Sequence, residues 1–522
     1  MGLARSAGII SVATMASRLL GLVRNWAVAL FFGAGDAVDA FNVAARLPVL
    51  LRELFAEGAM SSAFVPTFTR TLKDQGPDAA WRLGSQVVNA LLVVTGAIVV
   101  AGIAFADPLT HLYASRYADT PGKIELTVQL TRITMPFLTL IALAAVFMGM
   151  LNAMRQFFVP AISPAMFNVG MILGAVSSSA VGTLLGVHPI VGLALGFVLG
   201  GFGQMALQYP SLRRAGFRHR WILDVRDPGL RSILLLMGPG TIGQAAGQIN
   251  LLVSTVLATG LGTSALSWLI YAFTFMYLPI GIFGVSVSTA SVPDLAIHAS
   301  GQAWAEMRRV LSAALRLMLT LTVPSAVGLM VLGAPIVELA HEWGAFTATD
   351  TQAVALALLA YAPGLVAYNI VKISTPAFYA MQDARTPVMS SAIAIGTNIV
   401  LSLVLVRYLG YVGLAAATTL ASWVNASLLL VLLSRRVGGL DFARVGVTAA
   451  KVSVAAAVMG AVAWWVEAAL HARLPDPTLL DRLVRVGGAI TTAVAAYGAV
   501  AALLRIEEFT VAVERVVARL RR

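Results

Sequence analysis

Apolar runs of about twenty residues recur along the whole chain, and few folds are compatible with that recurrence. They lie near 7–32, 37–68, 80–106, 126–153, 159–183, 188–210, 229–258, 263–297, 309–333, 351–378, 386–407, 411–434, 446–468 and 483–505. This predicts an all-α polytopic membrane protein with fourteen transmembrane helices. Hydrophobic residues make up 59% of the 522 and charged residues 11%, too apolar a balance for a soluble domain with a polar surface. The first run follows Arg5 as a signal peptide would, but it continues past Arg18 and Arg24 with no small-residue cleavage site. It reads as the first membrane helix.

The formal net charge of +12 is distributed by topology. Loops after even-numbered spans carry Arg70, Lys73 and Arg82, then Arg155, then six arginines between 213 and 231, then Arg308 and Arg309, Arg385, and Arg435, Arg436 and Arg444. Loops after odd-numbered spans hold little more than Arg116, Lys123, Arg407, Arg473 and Arg482. Cytoplasmic loops are the basic ones. Both termini are therefore expected in the cytoplasm, and no nucleic-acid partner is expected. The chain has no cysteine, which excludes disulfides and thiolate chemistry.

An internal repeat is visible at a single offset. Met154 and Met381, Pro160 and Pro387, Pro136 and Pro363, and the strings SSAFVP and STASVP are each 227 positions apart. The spacing predicts a six-helix half at 1–227, a second at 228–445, and helices thirteen and fourteen with a basic tail at 446–522. Six spans per half put both halves in one orientation, an arrangement in which transporters bind substrate between halves and alternate access.

Catalytic signatures are missing. The string GPGTIG at 238–243 matches a dinucleotide fingerprint but opens a membrane helix with no preceding strand. There is no P-loop, and the six histidines show no metal-ligand spacing. The chain reads as a non-enzyme with no cofactor and no metal.

The informative chemistry is at 11–66, where Arg18, Arg24, Asp39, Arg46, Arg52, Glu53 and Glu57 interrupt apolar sequence. An arginine at the centre of a membrane helix costs about 2.5–3.5 kcal/mol on insertion scales. Arg18, Arg24 and Arg52 facing lipid would together cost about 8–10 kcal/mol. Asp39, Arg46 and Glu53 fall on one helical stripe, so Arg46 is expected to pair with Asp39 or Glu53. The remaining arginines have too few acids nearby and point to an anionic ligand, because a guanidinium binds phosphate through two parallel hydrogen bonds. Arg132 and Lys372 are further intramembrane cations.

The same residues carry a resemblance. S-x-x-T-M-x-S-R-x-L-G-x-x-R from Ser11 to Arg24, F-G-A-G from Phe32, D-A-F-x-V-A from Asp39, and F-A-E-G-A-x-S-x-A-F-V-P from Phe55 to Pro66 resemble the MurJ (MviN) family of lipid II flippases. L-P-x-G-x-F-G-V from Leu278 and the stretch from Val371 to Val388 resemble it as well. The likeness spans the chain. It implies the MOP-superfamily fold, a groove for a polyprenyl tail beside the last two helices, and passage of undecaprenyl-pyrophosphate-linked peptidoglycan precursor from the cytoplasmic to the periplasmic leaflet. It implies that Arg18, Arg24, Asp39 and Arg52 line a central cavity, engaging the pyrophosphate or gating the cavity. Asn398 and Thr418 fall near a sodium site described for some members, whose two acids are replaced here by Ser254 and Ser402. Thr274 stands where the family usually has an arginine, Asn25 where it commonly has an acid, and Glu53 where it often has a second basic residue.

The expected activity is thus a lipid II flippase working by alternating access. Its partners would be a lipid-linked oligosaccharide, membrane lipids and cell-wall synthesis proteins, and its state a monomer. A flippase for O-antigen or exopolysaccharide precursors is the alternative within this architecture. A drug or cation antiporter would want carboxylates in place of the arginines. A non-transporting membrane scaffold is the alternative from another class, and it would tolerate Arg24→Ala.

Overall fold

Helix ends in this chain are fixed by local chemistry. Asp227 caps one helix by accepting from the amides of Gly229 and Leu230, and Thr347 with Asp350 forms a reciprocal capping box at another. A computed structural model describes residues 3–54, 58–262, 264–474 and 478–510, with side chains described outside 3–14, 58–62, 234 and 236–246. Glu57 and the basic tail from 511 onward lie outside the described residues.

The described chain is helical throughout: α1 Leu3–Phe32, α2 Asp36–Arg52, α3 Gly58–Gln75, α4 Pro77–Ala104, α5 Ala106–Ala114, α6 Lys123–Thr134, α7 Phe137–Ala153, α8 Phe158–Val176, α9 Ser178–Leu185, α10 Ile190–Arg214, α11 Pro228–Thr259 and α12 Ala265–Pro279. A π-helical turn at Ile280–Gly284 leads into α13 Val285–Ser300, α14 Trp304–His341, α15 Ala348–Tyr361, α16 Gly364–Ala380, α17 Arg385–Arg436, α18 Phe442–Arg473 and α19 Leu479–Leu503. Among the described residues ten helices are long and apolar enough to cross a membrane, or eleven if bent α15–α16 counts as one span. Two of the remaining expected spans, 37–68 and 229–258, include residues or side chains outside the described ones. The 52 residues of α17 are broken at Gly410, whose backbone is non-helical. Of the predicted helix at 37–68, α2 runs into a π-type turn at Glu53 and α3 begins at Gly58, residues 55–57 lying outside the described residues, and in α11 the apolar segment Gly247–Thr259 follows the stretch 236–246, whose side chains lie outside the described ones.

Packing divides the chain into two units, Met1–Ser267 with Trp343–Phe346, and Trp268–Glu342 with Thr347–Arg522. In the first unit, α8 and α10 approach through glycines four apart. A Cβ on Gly170 would lie 2.5 Å from the Cα of Gly200, and one on Gly196 would lie 2.5 Å from the Gly170 carbonyl oxygen. Small residues at this spacing let helix backbones touch, which drives association where lipid removes the hydrophobic effect. Against this seam Phe137 and Phe197 stack with ring centroids 4.2 Å apart. The end of α1 is pinned by a comparable fit: the Ala345 amide donates to the Leu30 carbonyl at 2.9 Å, and Gly33 and Gly344 both adopt positive φ where a Cβ would strike backbone.

In the second unit, α14, α18 and α19 pack through Val452, Ala455, Met459, Ala489 and Ala493, and the buried Tyr497 hydroxyl donates to the Thr320 carbonyl at 2.7 Å. Arg482 and Arg485 are almost fully buried at the start of α19. Arg482 donates to the Glu338 and Glu342 carbonyls at 3.0 and 2.8 Å, and Arg485 pairs with Glu467 at 2.7 Å and Glu338 at 3.4 Å. The sequence reading counts Arg482 among the few basic residues of the loops after odd-numbered spans. The structure corrects this: it neutralises the acidic end of α14, because two segments far apart in sequence meet there.

The 227-residue offset reappears in backbone geometry. Pro136 and Pro363 each sit at a break between two helices, and the amide two residues on bonds the carbonyl just before the proline, Leu138 to Met135 and Leu365 to Ala362. Arg155 and Gln382 both take positive φ, and Gln156 and Asp383 donate back to Leu151 and Phe378 at 2.9 Å in each case. Equivalent turns recur at equivalent positions.

Candidate functional site

The expected site residues lie on α1 and α2 of the first unit. Arg18 is exposed on α1. Six residues later Arg24 is half-buried, donates Nε and Nη2 to Asn25 Oδ1 at 3.1 and 2.9 Å, and stands 5.7 Å from the Phe167 ring centroid on α8. An asparagine in place of an acid holds the guanidinium by hydrogen bonds without cancelling its charge, and the ring face adds a cation–π contact. The α1 backbone is held to α8 by Asn168, which donates to the Ser17 carbonyl at 3.0 Å.

Arg52 closes α2 at the start of a π-type turn, with Nη2 3.8 Å from Glu53 Oε1 and its side chain 27% exposed. Gln248 on α11 donates to the other Glu53 oxygen, and Glu53 also acts electrostatically on Arg46. Pro48 lies inside α2, one turn before Arg52.

Asp39 is in a different environment. It is fully buried, 3.3 Å from Lys123 Nζ, and accepts from the Ser264 amide at 2.7 Å, the Ser267 amide at 3.0 Å and the Ser267 hydroxyl at 2.6 Å. Lys123, the first residue of α6, also reaches Asp36 at 2.6 Å and lies 4.0 Å over the Tyr117 ring. Asn42 on the same face of α2 donates to the Ser267 hydroxyl at 3.1 Å. The Asp39 carboxylate therefore caps the first turn of α12 from another helix, where free amides and the helix dipole favour an anion. Its expected pairing with Arg46 is replaced by one with Lys123, which the sequence placed in a loop.

Thr274 on α12 donates to its own helix at Ile270. Arg132 is exposed on α6, and half-buried Lys372 on α16 lies beside the π-helical turn, its Cδ 3.3 Å from where a Gly284 Cβ would be. Asn398 and Thr418 are turned to their own helices on either side of the Gly410 break. Asn398 Oδ1 accepts from Ser402 at 3.4 Å, and Thr418 donates to the Leu414 carbonyl at 3.0 Å. No cluster of three histidine or acidic residues able to hold a metal occurs among the described residues.

Sequence reasoning missed Lys123, Ser264 and Ser267. The signal available was the D-A-F-N string, in which Asp39 and Asn42 are three apart and share a helix face. Nothing local told which segment that face meets.

The chain as a whole is similar to known proteins. The family model described as "Lipid II flippase MurJ" covers residues 28–478. The chain belongs to the MurJ family. It is 36% identical to a probable lipid II flippase MurJ of Vibrio cholerae over 82% of both chains, and 34% identical to one of Rhizobium meliloti over 96% of this chain and 94% of that one. The lipid II flippase MurJ of Burkholderia cenocepacia is 35% identical over 84% of each. Among solved structures, a MurJ in an inward closed conformation superposes with a TM-score of 0.79 at 27% identity, covering 95% of this chain and 98% of that one. An inward-facing multidrug-resistance MATE transporter of the MOP superfamily superposes at 0.67 with 14% identity, covering 83% of this chain and 98% of that one, which shows a shared fold. Membership in the MurJ family and the run of apolar helices make the chain a multi-pass inner-membrane transporter.

Proposed function

We propose that this protein moves lipid II from the cytoplasmic to the periplasmic leaflet by alternating access, with Arg18, Arg24 and Arg52 attracting the pyrophosphate. The observation carrying this assignment of residues is Arg24. Its guanidinium is held by Asn25 Oδ1 and lies 5.7 Å from the Phe167 ring, which orients on an apolar helix a planar group able to offer two parallel hydrogen bonds to a phosphate. Asp39 takes the gating role: with Lys123, Ser264 and Ser267 it latches the start of α12 when closed. The two equivalent halves lie in one orientation with both termini in the cytoplasm. The protein acts as a monomer, makes no covalent change in its substrate, and works beside cell-wall synthesis proteins. Lacking a P-loop, it draws on the membrane potential, worth about 2.3 kcal/mol per charge per 100 mV, on an ion gradient, or on downstream consumption.

The test is complementation of cells depleted of their lipid II flippase, scoring lipid II accessible from outside. Wild type should restore accessibility, and Arg24→Ala at equal expression should reduce it at least tenfold. Restoration by Arg24→Ala as complete as by wild type would point to a scaffold.

A further inference from the structure

The loop joining α10 to α11 carries six arginines between 213 and 231 and only two acids, Asp224 and Asp227. Transport gives this charge no task. Both acids are engaged by backbone: Asp224 accepts from the Arg226 amide at 2.9 Å, and Asp227 caps α11. All six arginines are exposed, and none makes an ion pair among the described residues.

The loop is fastened to α4 along its length. Phe217 at one end and Leu230 at the other are buried in one core with Trp81 and Leu83. Between them, two buried polar residues one turn apart on α4 hold the backbone. Ser85 Oγ accepts from the Arg220 amide at 3.3 Å, and Asn89 Nδ2 donates to the Arg220 and Ile222 carbonyls at 2.8 and 2.9 Å. Asn89 Oδ1 lies 2.8 Å from His219 Nε2, and the His219 ring packs edge-on against Trp221 with centroids 4.9 Å apart. A backbone pinned at these points fixes which side chains face outward. Trp221, Leu223 and Val225, at alternate positions, are 78, 49 and 70% exposed.

The depth of this strip is set by α4. The charges of that helix, Asp78 and Arg82, fall in its first two turns, and from Leu83 to Ala104 it carries none. That uncharged stretch is about 33 Å long at 1.5 Å per residue, matching about 30 Å of bilayer hydrocarbon. Ser85 and Asn89 stand in its first two turns, so the strip they hold lies where headgroups meet hydrocarbon. Tryptophan is enriched at that level.

We propose that residues 218–226 form an interfacial anchor for anionic lipid. Trp221, Leu223 and Val225 enter the leaflet beside α4, while Arg218, Arg220 and Arg226 bind headgroup phosphates. A guanidinium offers a phosphate two parallel hydrogen bonds, and a basic segment next to a membrane helix is drawn to an anionic surface. Apolar side chains inserted at the interface add the burial that charge alone does not provide. An acidic protein would suit the same arginines, but not an apolar strip held at the hydrocarbon boundary. The anchor is separate from Arg18, Arg24 and Arg52, and it stands whatever the chain transports.

Because the chain has no cysteine, Val225→Cys provides a single site for a bimane label, and Gln75→Cys at the exposed end of α3 is the reference. The purified full-length protein is placed in nanodiscs of dioleoylphosphatidylcholine mixed with dioleoylphosphatidylglycerol, one of the two lipids being brominated on its acyl chains. The label at 225 should be quenched by brominated lipid at least threefold more than the label at 75, and by aqueous iodide at least threefold less. Brominated phosphatidylglycerol should quench it at least twice as strongly as brominated phosphatidylcholine. Replacing Arg218, Arg220 and Arg226 together by glutamine should remove that preference with the melting temperature unchanged, since all three side chains are exposed. Iodide quenching at 225 equal to that at 75, equal quenching by the two brominated lipids, or a preference that survives the three substitutions overturns the proposal. Shielding from iodide without quenching by either lipid would mean that a protein surface covers the strip, and overturns it as well. No step of the measurement depends on flipping, so failure here leaves the flippase proposal standing.

Discussion

Asp39→Asn is the sharpest perturbation of the latch at the start of α12. The replacement keeps shape, and one amide oxygen can still accept from Ser267. The other oxygen becomes an NH2 group that faces two donors, the Ser264 amide at 2.7 Å and Lys123 Nζ at 3.3 Å. A hydrogen bond to a charged group contributes about 1.5–3 kcal/mol, and breaking a buried pair by removing one partner costs about 3–5 kcal/mol. Lys123 keeps Asp36 at 2.6 Å, which lowers the second figure, so a loss of about 3 kcal/mol is expected. That corresponds to roughly a hundredfold increase in local opening. The natural chain has no cysteine, so a Ser264→Cys background provides a single thiol at a position only 6% exposed. Maleimide labelling should be slow in that background and rise up to a hundredfold with Asp39→Asn, because labelling through fast local opening tracks the open population. An unchanged labelling rate, with an unchanged melting temperature, would refute the assignment of Asp39 as a latch.

The glycine seam predicts that Gly196→Leu, whose Cβ alone would lie 2.5 Å from the Gly170 carbonyl oxygen, separates α8 from α10; the folded fraction on size-exclusion chromatography should fall sharply while Gly96→Ala in α4, whose Cβ would meet nothing within 4 Å, stays near wild type. The loop after α10 should loosen in acid. Its His219 bonds Asn89 Oδ1 at 2.8 Å, and burial lowers its pKa below the ordinary 6.5. The unfolded loop therefore binds more protons just below pH 6.5, so the contribution is present above that pH and lost as pH falls. Hydrogen exchange at residues 219–222 should rise between pH 7 and pH 5.5, and His219→Gln should abolish that dependence.

Legibility in the sequence followed the range of the interaction concerned. The breaks at Pro136 and Pro363 were readable because proline acts on its own helix, and their shared offset survives as a shared hydrogen-bond pattern. Arg24 and Asn25 were readable as neighbours, as was the failure of Thr274 to supply a cation. Lys123 was not readable as a partner of Asp39, since the two are 84 positions apart and a lysine in a short polar loop usually faces water. Arg482 was hidden for the same reason: its acids, Glu338 and Glu342, lie 140 or more residues earlier, at the end of α14, whereas Arg485 also meets Glu467 only 18 residues away on α18. The π-type turn that follows α2 escaped the hydropathy pattern, which registers apolar length and is blind to a change of helix type at Glu53.

By itself the sequence determined the solvent of this protein, its all-helical class, its internal repeat and the family to which it belongs. Those properties are carried by run length, periodicity and local motifs, which every residue expresses without reference to its neighbours in space. The tertiary structure decided which groups each charge meets. Arg24 meets Asn25 and the Phe167 ring, Asp39 is consumed by an amide-rich helix end and Lys123, and Arg485 is held by Glu467 and Glu338. In a low-dielectric interior the state of a charge depends on the few groups within about 4 Å of it, and only the folded chain specifies those groups.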